Sequence, residues 1–164
     1  MKGFLWRYDR DILIISRMNF LTWFKDKYLM SNKEQGKYRP HYYAIQDKKN
    51  PELYWMISIS SQAEKYKGII EREKKRYGKC NTIVIGLFAG KENAFLIQNA
   101  FPVIEKYFDH IHMIQEQPVT IHKKLDKLLV ENLNEVLAMH NRGIKLTFTD
   151  ITAIRTIMEK ELEK

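Results

Sequence analysis

Apolar residues gather in two short runs rich in aromatic and β-branched types, HYYAIQ at 41–46 and LYWMISI at 53–59, the second ending in an alternating ISI, and both read as β-strands. The intervening DKKNPE supplies turn residues, so the two runs are expected to form a hairpin. Residues 62–77 change to a helical pattern and stop at Gly78, a plausible left-handed terminator. Residues 82–88 and 94–103 form a second expected strand pair, joined by AGKEN. Residues 104–114 carry no decisive period and can continue as strand. Residues 122–140 are the clearest helix: Leu125, Leu128, Leu129, Val136 and Leu137 share one stripe with Leu133, and Gly143 ends it. Residues 145–148 are expected as a last short strand. Thr149 or Asp150 then caps a final helix with Ile151, Ile154, Ile157, Met158 and Leu162 on one face. Near the N-terminus, residues 4–8 suit a short strand. Residues 19–29 suit a helix carrying Phe20, Leu21, Phe24 and Tyr28. The polar stretch 30–40, MSNKEQGKYRP, is expected as a long loop within the same domain. Hairpins with helices inserted and appended predict an α+β fold: one domain over residues 1–164, with a twisted, mainly antiparallel β-sheet surrounded by helices.

Composition narrows what such a domain does. The 164 residues are 45% apolar, enough for one substantial core, and contain no apolar run long enough for a membrane span. Asp9 and Asp11 interrupt the N-terminal apolar stretch, which argues against a signal peptide. Cys80 is the single cysteine, so an internal disulfide and a cysteine-rich zinc site are both excluded. The expectation is a reduced, cytoplasmic protein. Twenty-eight Lys and Arg against 20 Asp and Glu leave a formal charge of +8, which favours a polyanionic partner, nucleic acid being the commonest. Nine Tyr and three Trp offer either stacking surfaces or core.

The chemistry concentrates where the first hairpin hands over to a helix, in ISISSQAEKYKG, residues 57–68. Two readings stand. Ser61 and Glu64 have the spacing of a capping box, worth roughly 1 kcal/mol and needing no ligand. Alternatively, the free amides of a helix start, the hydroxyls of Ser60 and Ser61 and the ammonium of Lys65 one turn later would hold a phosphate. The same helix is expected to bury Tyr66, Ile69, Ile70 and Tyr77 and to line much of its remaining surface with Lys67, Lys74, Lys75 and Arg76, a track for a nucleic-acid backbone or a merely solvated face. Upstream, GKYRPHYY gathers Tyr38, Arg39, His41, Tyr42 and Tyr43 at a loop-to-strand junction, with His41 a candidate proton carrier. Other motifs fail on spacing. DHIH, 109–112, lacks a third metal ligand, GLFAGKEN is not a phosphate loop, and no carboxylate cluster suits two-metal cleavage. A nuclease built from this sequence is therefore expected to need no metal and no cofactor.

The run YRPHYYAIQDKKNPELYWMISISSQAEKYK resembles the ToxN/AbiQ/CptN toxins, the endoribonucleases of bacterial type III toxin–antitoxin systems. The later stretches TIVIGLFAGKENAFLIQNAFPVIEKYFDHIH and NLNEVLAMHNRGIKLTFTD look most like the CptN branch. The resemblance implies a fold related to the Kid/MazF toxins and RNA cleavage to a 2′,3′-cyclic phosphate and a 5′-hydroxyl. It implies a repeat-derived pseudoknot RNA as antitoxin, cut from its precursor by the toxin and then bound in a toxin–RNA assembly. Cellular or phage RNA would be the substrate, and DNA and membranes would not be partners. The family's pattern of apolar residue, Ser or Thr, Ser and nearby Lys falls on Ile59, Ser60, Ser61 and Lys65. Its tyrosine and basic residues before the preceding strand fall on Tyr38, Arg39 and His41. Two features depart from it: Ser58 stands where relatives often carry proline, and Lys65 is one residue farther from the serine than is usual. Serine is a poor base, so Ser60 and Ser61 are assigned to phosphate hydrogen bonds, Lys65 to stabilising the phosphorane, and His41 or Tyr38 to proton transfer. Arg7, Arg10, Arg39, Tyr42, Lys67, Lys74, Lys75, Lys123 and Lys124 are the expected RNA contacts. The competing expectations are a non-catalytic RNA-binding module and a protein-interaction domain with an incidental basic face; a DNA-binding repressor lacks a helix-turn-helix signal.

Overall fold

The two apolar runs within residues 41–60 build the centre of the sheet. In the computed structural model, which describes residues 14–18, 41–111, 113–114, 117–118 and 120–164, strand β2 (His41–Gln46) pairs antiparallel with β3 (Leu53–Ser60), placing His41 opposite Ile59 and Gln46 opposite Tyr54. Side chains are described over 41–108 and 120–164. All eight residues of β3 are buried, as suits an interior strand covered on both faces. On its other side β3 pairs with β5 (Lys91–Ile104), and β5 with β4 (Ile83–Phe88). Strands β1 (Ile14–Met18) and β6 (Phe108–Ile111) complete an antiparallel sheet in the order β4-β5-β3-β2-β1-β6. A separate two-stranded ladder joins β7 (Met113–Ile114) to β8 (Gln117–Pro118). The helices are α1 (Ala63–Tyr77), α2 (Lys123–Asn141) and α3 (Ile151–Leu162). The α+β architecture with an antiparallel sheet is thus present.

Period-two alternation sorts the sheet into two faces. Tyr43, Ile45, Trp55, Ile57, Ile59, Phe95 and Ile97 pack beneath Leu129, Leu133 and Val136 of α2. On the opposite face α1 lays Tyr66, Ile69 and Ile70 over Ile83, Ala94 and Leu96. Ile154 and Met158 of α3 pack with Tyr42, Tyr54, Met56 and Phe101, while Ile151 joins the cluster under α2, so α3 ties both halves of the core together. The Tyr43 hydroxyl donates to Asp126 Oδ1, fixing the first turn of α2 to β2.

The β2–β3 turn is organised by one carboxylate. Asp47 Oδ2 accepts from Lys49 N (3.1 Å) and Asn50 N (2.8 Å), Oδ1 accepts from Trp55 Nε1 (2.8 Å), and the Arg155 guanidinium of α3 lies 3.5 Å away. Burial by itself would raise this carboxyl, but the Trp55 and Asn50 hydrogen bonds, the Arg155 charge and the Lys49 amide together hold it below the usual carboxylate range. A carboxyl depressed on folding contributes stability that is complete above its unfolded pKa and is lost as the pH falls through its folded value. Asp47→Ala is therefore expected to cost about 2–3 kcal/mol at neutral pH. Asp47→Asn should flatten the loss of stability seen below about pH 4, both read by urea denaturation across a pH series.

Several boundaries differ from the sequence reading for identifiable reasons. Ladder β4–β5 closes on a two-residue turn, Ala89 and Gly90 at φ 51° and 80°, so Lys91, Glu92 and Asn93 extend the strand instead of looping. Two left-handed residues match the natural twist of paired strands. Residues 104–111 do not continue as one strand; a single 3₁₀ turn, Glu105–Tyr107, breaks the run before β6. Residues 145–148 are not a strand either. The register of β5 against β3 slips between Met56 and Ser58, leaving residues 97–100 bulged, and the 147–149 segment satisfies that bulge. Phe148 N donates to Gln98 O (2.8 Å) and Thr149 Oγ1 to Ala100 O (2.5 Å). Leu128 and Tyr77, expected to be buried, are exposed. The strand and helix expected over 4–8 and 19–29, and the loop over 30–40, lie outside the described residues.

Candidate functional site

Strand β3 ends at Ser60 and α1 begins three residues later, so the Ser60–Ser61–Gln62 turn is the junction singled out from sequence. Ser60 is only 8% exposed, and its Oγ accepts from Gln62 N at 3.2 Å, which holds the turn. The expected capping box is not formed. Gln62 is the N-cap residue and no side chain caps α1, whereas His122 Nδ1 accepts from Lys124 N to cap α2 and Asp150 Oδ1 accepts from Ala153 N to cap α3, both at 3.1 Å. The carboxylate of Glu64 turns the other way, to Lys67 Nζ at 3.0 Å. Ser61 is exposed, and among the described residues its hydroxyl is uncommitted, beside first-turn amides that receive no side-chain cap. This end of the helix carries partial positive charge. Lys65 is exposed one turn on, its ammonium 5.3 Å from the Tyr66 ring centroid.

The remaining basic candidates divide by their partners. Lys67 bridges Glu64 and Glu92, each at 3.0 Å; the hydrogen bonds it donates to Glu92 and then Glu64 raise its pKa, and its charge is largely offset locally. Lys74 and Lys75 are exposed in the last turn of α1. Lys123 and Lys124 are exposed in the first turn of α2, where their charges add to the positive end of that helix. Arg7, Arg10, Tyr38 and Arg39 lie outside the described residues. Tyr42 requires a correction: it is 0% exposed and packs edge-on to Phe101 in the core, so its ring offers no surface to a base. The loop-to-strand position suggested a surface aromatic, but the strand interior claimed it.

Register sets His41 apart from Ser60. His41 lies opposite Ile59 and its ring centroid is 5.3 Å from that of Phe88, on the face covered by α2. Ser60 lies opposite Ala94, on the face covered by α1. Both residues sit at the same end of the β2–β3 ladder, so a phosphodiester contacting both must lie across that strand end. Ser58, the departure from the family pattern, shares the α1 face with Ser60. Ser58 is 1% exposed and among the described residues its hydroxyl has no hydrogen-bond partner, a burden of about 1–3 kcal/mol.

Sequence reasoning missed Asp126 as partner of Tyr43 and Asp47 as organiser of the hairpin. The Tyr43–Asp126 and Asp47–Arg155 pairings join residues far apart in the chain, which no local spacing encodes, whereas the Asp47 bonds to Lys49, Asn50 and Trp55 are local. Among the described residues no group of three or more His, Cys, Asp and Glu is placed to hold a metal ion, and no helix is long and apolar enough to cross a membrane. Compared with protein-family models and with curated proteins, the chain matches none.

Proposed function

We propose that the protein is a metal-independent endoribonuclease, with a Kid/MazF-like variant of the α+β fold, acting as the toxin of a type III toxin–antitoxin system in the cytoplasm. The observation that carries the reading is the uncapped start of α1, where first-turn amides without a side-chain cap stand beside the exposed Ser61, with the exposed Lys65 one turn on along the same helix. Such a set of donors suits a phosphate and, more strongly, the extra negative charge of a phosphorane. RNA supplies its own nucleophile. The 2′-oxygen attacks phosphorus while its proton passes to a base, the cyclic phosphodiester forms, and the P–O5′ bond breaks as an acid protonates the leaving oxygen. His41 and Tyr38 are the candidate proton carriers, and an in-line displacement needs its base and acid on opposite sides of phosphorus. A net charge of +8 and the exposed Lys74, Lys75, Lys123 and Lys124 favour a polyanionic partner, here the pseudoknot RNA antitoxin and its repeat precursor.

The placement of His41 on the other sheet face favours a second reading, a non-catalytic RNA-binding module. Incubating the purified chain with RNA in excess EDTA separates the two. The nuclease yields fragments with 2′,3′-cyclic phosphate and 5′-hydroxyl ends and leaves the matching DNA intact, because DNA lacks the 2′-hydroxyl. RNA that is bound and remains whole would establish the binding module instead.

A further inference from the structure

A cavity of about 480 Å³ opens between the β2–β3 turn, the C-terminal half of α2 and the first turns of α3. Its volume falls within the roughly 300–1,000 Å³ of small-molecule sites. Ile45, Trp55 and Leu133, all buried, form an apolar floor. Arg155 forms one wall. Its Nε donates to Glu159 Oε1 at 3.0 Å and its Nη2 reaches Asp47 Oδ2 at 3.5 Å, so two of its three nitrogens are engaged in the guanidinium plane. The side chain is nonetheless 33% exposed, leaving part of the guanidinium open to a ligand. A guanidinium face attracts aromatic rings, and carboxylates on its edge hold it ready. At the mouth stand Lys48 and Lys49, both exposed, and among the described residues neither ammonium meets a carboxylate. An apolar floor, a flat cationic wall and two unengaged ammonium groups suit one kind of ligand, a planar aromatic ring carrying an anionic group.

We propose that this cavity is a nucleotide subsite, taking an unstacked nucleobase against Arg155 with its phosphate at Lys48 and Lys49. It is separate from the β3–α1 turn. Trp55 and Ser60 are five residues apart on β3, about 17 Å, and they point to opposite faces of the sheet. The subsite therefore stands whether or not the chain cleaves RNA. The nucleotide is either free or part of a single strand whose other residues follow the basic surface.

Amide chemical-shift titration of the whole protein with a mononucleotide, its nucleoside, and a short single-stranded RNA with and without one abasic residue tests this. Binding is expected to move the amides of residues 45–49 and 152–156. Ala138→Trp plugs the cavity from an exposed position on α2, and Arg155→Lys keeps the charge but loses the plane. Each is expected to weaken binding about tenfold or more. Lys48→Ala with Lys49→Ala should weaken the mononucleotide more than the nucleoside. A mononucleotide that saturates these shifts identifies free nucleotide as a ligand. Shifts produced by RNA alone and lost with the abasic residue identify a base of a strand. The proposal is overturned if neither ligand moves these amides, or if both bind the Ala138→Trp and Arg155→Lys proteins as tightly as the parent.

Discussion

Lys65→Ala is expected to slow RNA cleavage by about 10²–10³-fold, the usual consequence of removing one donor from a developing oxyanion, while RNA affinity changes little. The ammonium is exposed, and among the described residues it meets the Tyr66 ring but no carboxylate, so removing it breaks no ion pair there. Ser61→Ala should produce a loss of similar size, because its hydroxyl is not committed to capping α1. Ser60→Ala is less informative: Ser60 Oγ holds Gln62 N, and its loss would alter the turn as well as any phosphate contact. Lys67→Ala is the matched control, a lysine on the same helix whose charge already serves Glu64 and Glu92. Single-turnover cleavage on a labelled RNA, with affinity measured separately by gel shift, reads the difference. If Lys65→Ala and Ser61→Ala both cleave at the parent rate, the phosphate does not sit at the start of α1 and the mechanism proposed for this turn is wrong.

The parts of the structure legible in the sequence are those that a few adjacent residues decide. Short apolar runs rich in aromatic and β-branched residues on either side of DKKNPE mark both strands of the central hairpin, Gly78 ends α1 at φ 83° with its amide on Lys74 O, and Asp150 caps α3. Each depends on a local preference that nothing distant opposes. The errors occur where a distant residue changes the balance. Ser61 and Glu64 have capping-box spacing, but Lys67, itself drawn to Glu92 on β5, takes the Glu64 carboxylate. Residues 145–148 have the composition of a strand, yet a bulge in β5 needs their donors. Tyr42 alternates correctly with Tyr43; what the pattern does not reveal is that both faces of β2 are covered, so neither tyrosine reaches solvent. The same blindness extends to the candidate site. The residue types at the β3–α1 turn could be chosen from spacing, but the side of the sheet on which His41 stands depends on strand register.

Gly86→Val should destabilise the fold by about 1–3 kcal/mol, and the cause is a neighbour, not the backbone. Gly86 lies inside β4 without a positive φ, so any residue could adopt its conformation. Its value is the absence of a side chain. A Cβ built there would lie 2.4 and 2.7 Å from the two methyl carbons of Leu125 and 3.1 Å from its Cγ. Glycine in a strand often marks such a close approach. Both methyls and Cγ of Leu125 crowd that position, so relief takes either a new Leu125 rotamer inside the packed core or a lift of the first turn of α2 from the sheet. Lifting it strains the hydrogen bond from Tyr43 to Asp126 and moves Lys123 and Lys124, which follow the His122 cap on the same turn. Leu125→Ala should relieve the overlap. The double variant Gly86→Val/Leu125→Ala is therefore expected to be more stable than the sum of the two single losses predicts, by about 0.5–3 kcal/mol. Urea denaturation of the four proteins measures this coupling. Additive losses would mean that α2 does not bear on β4 at Gly86, and that the anchoring of its basic first turn has to be sought elsewhere.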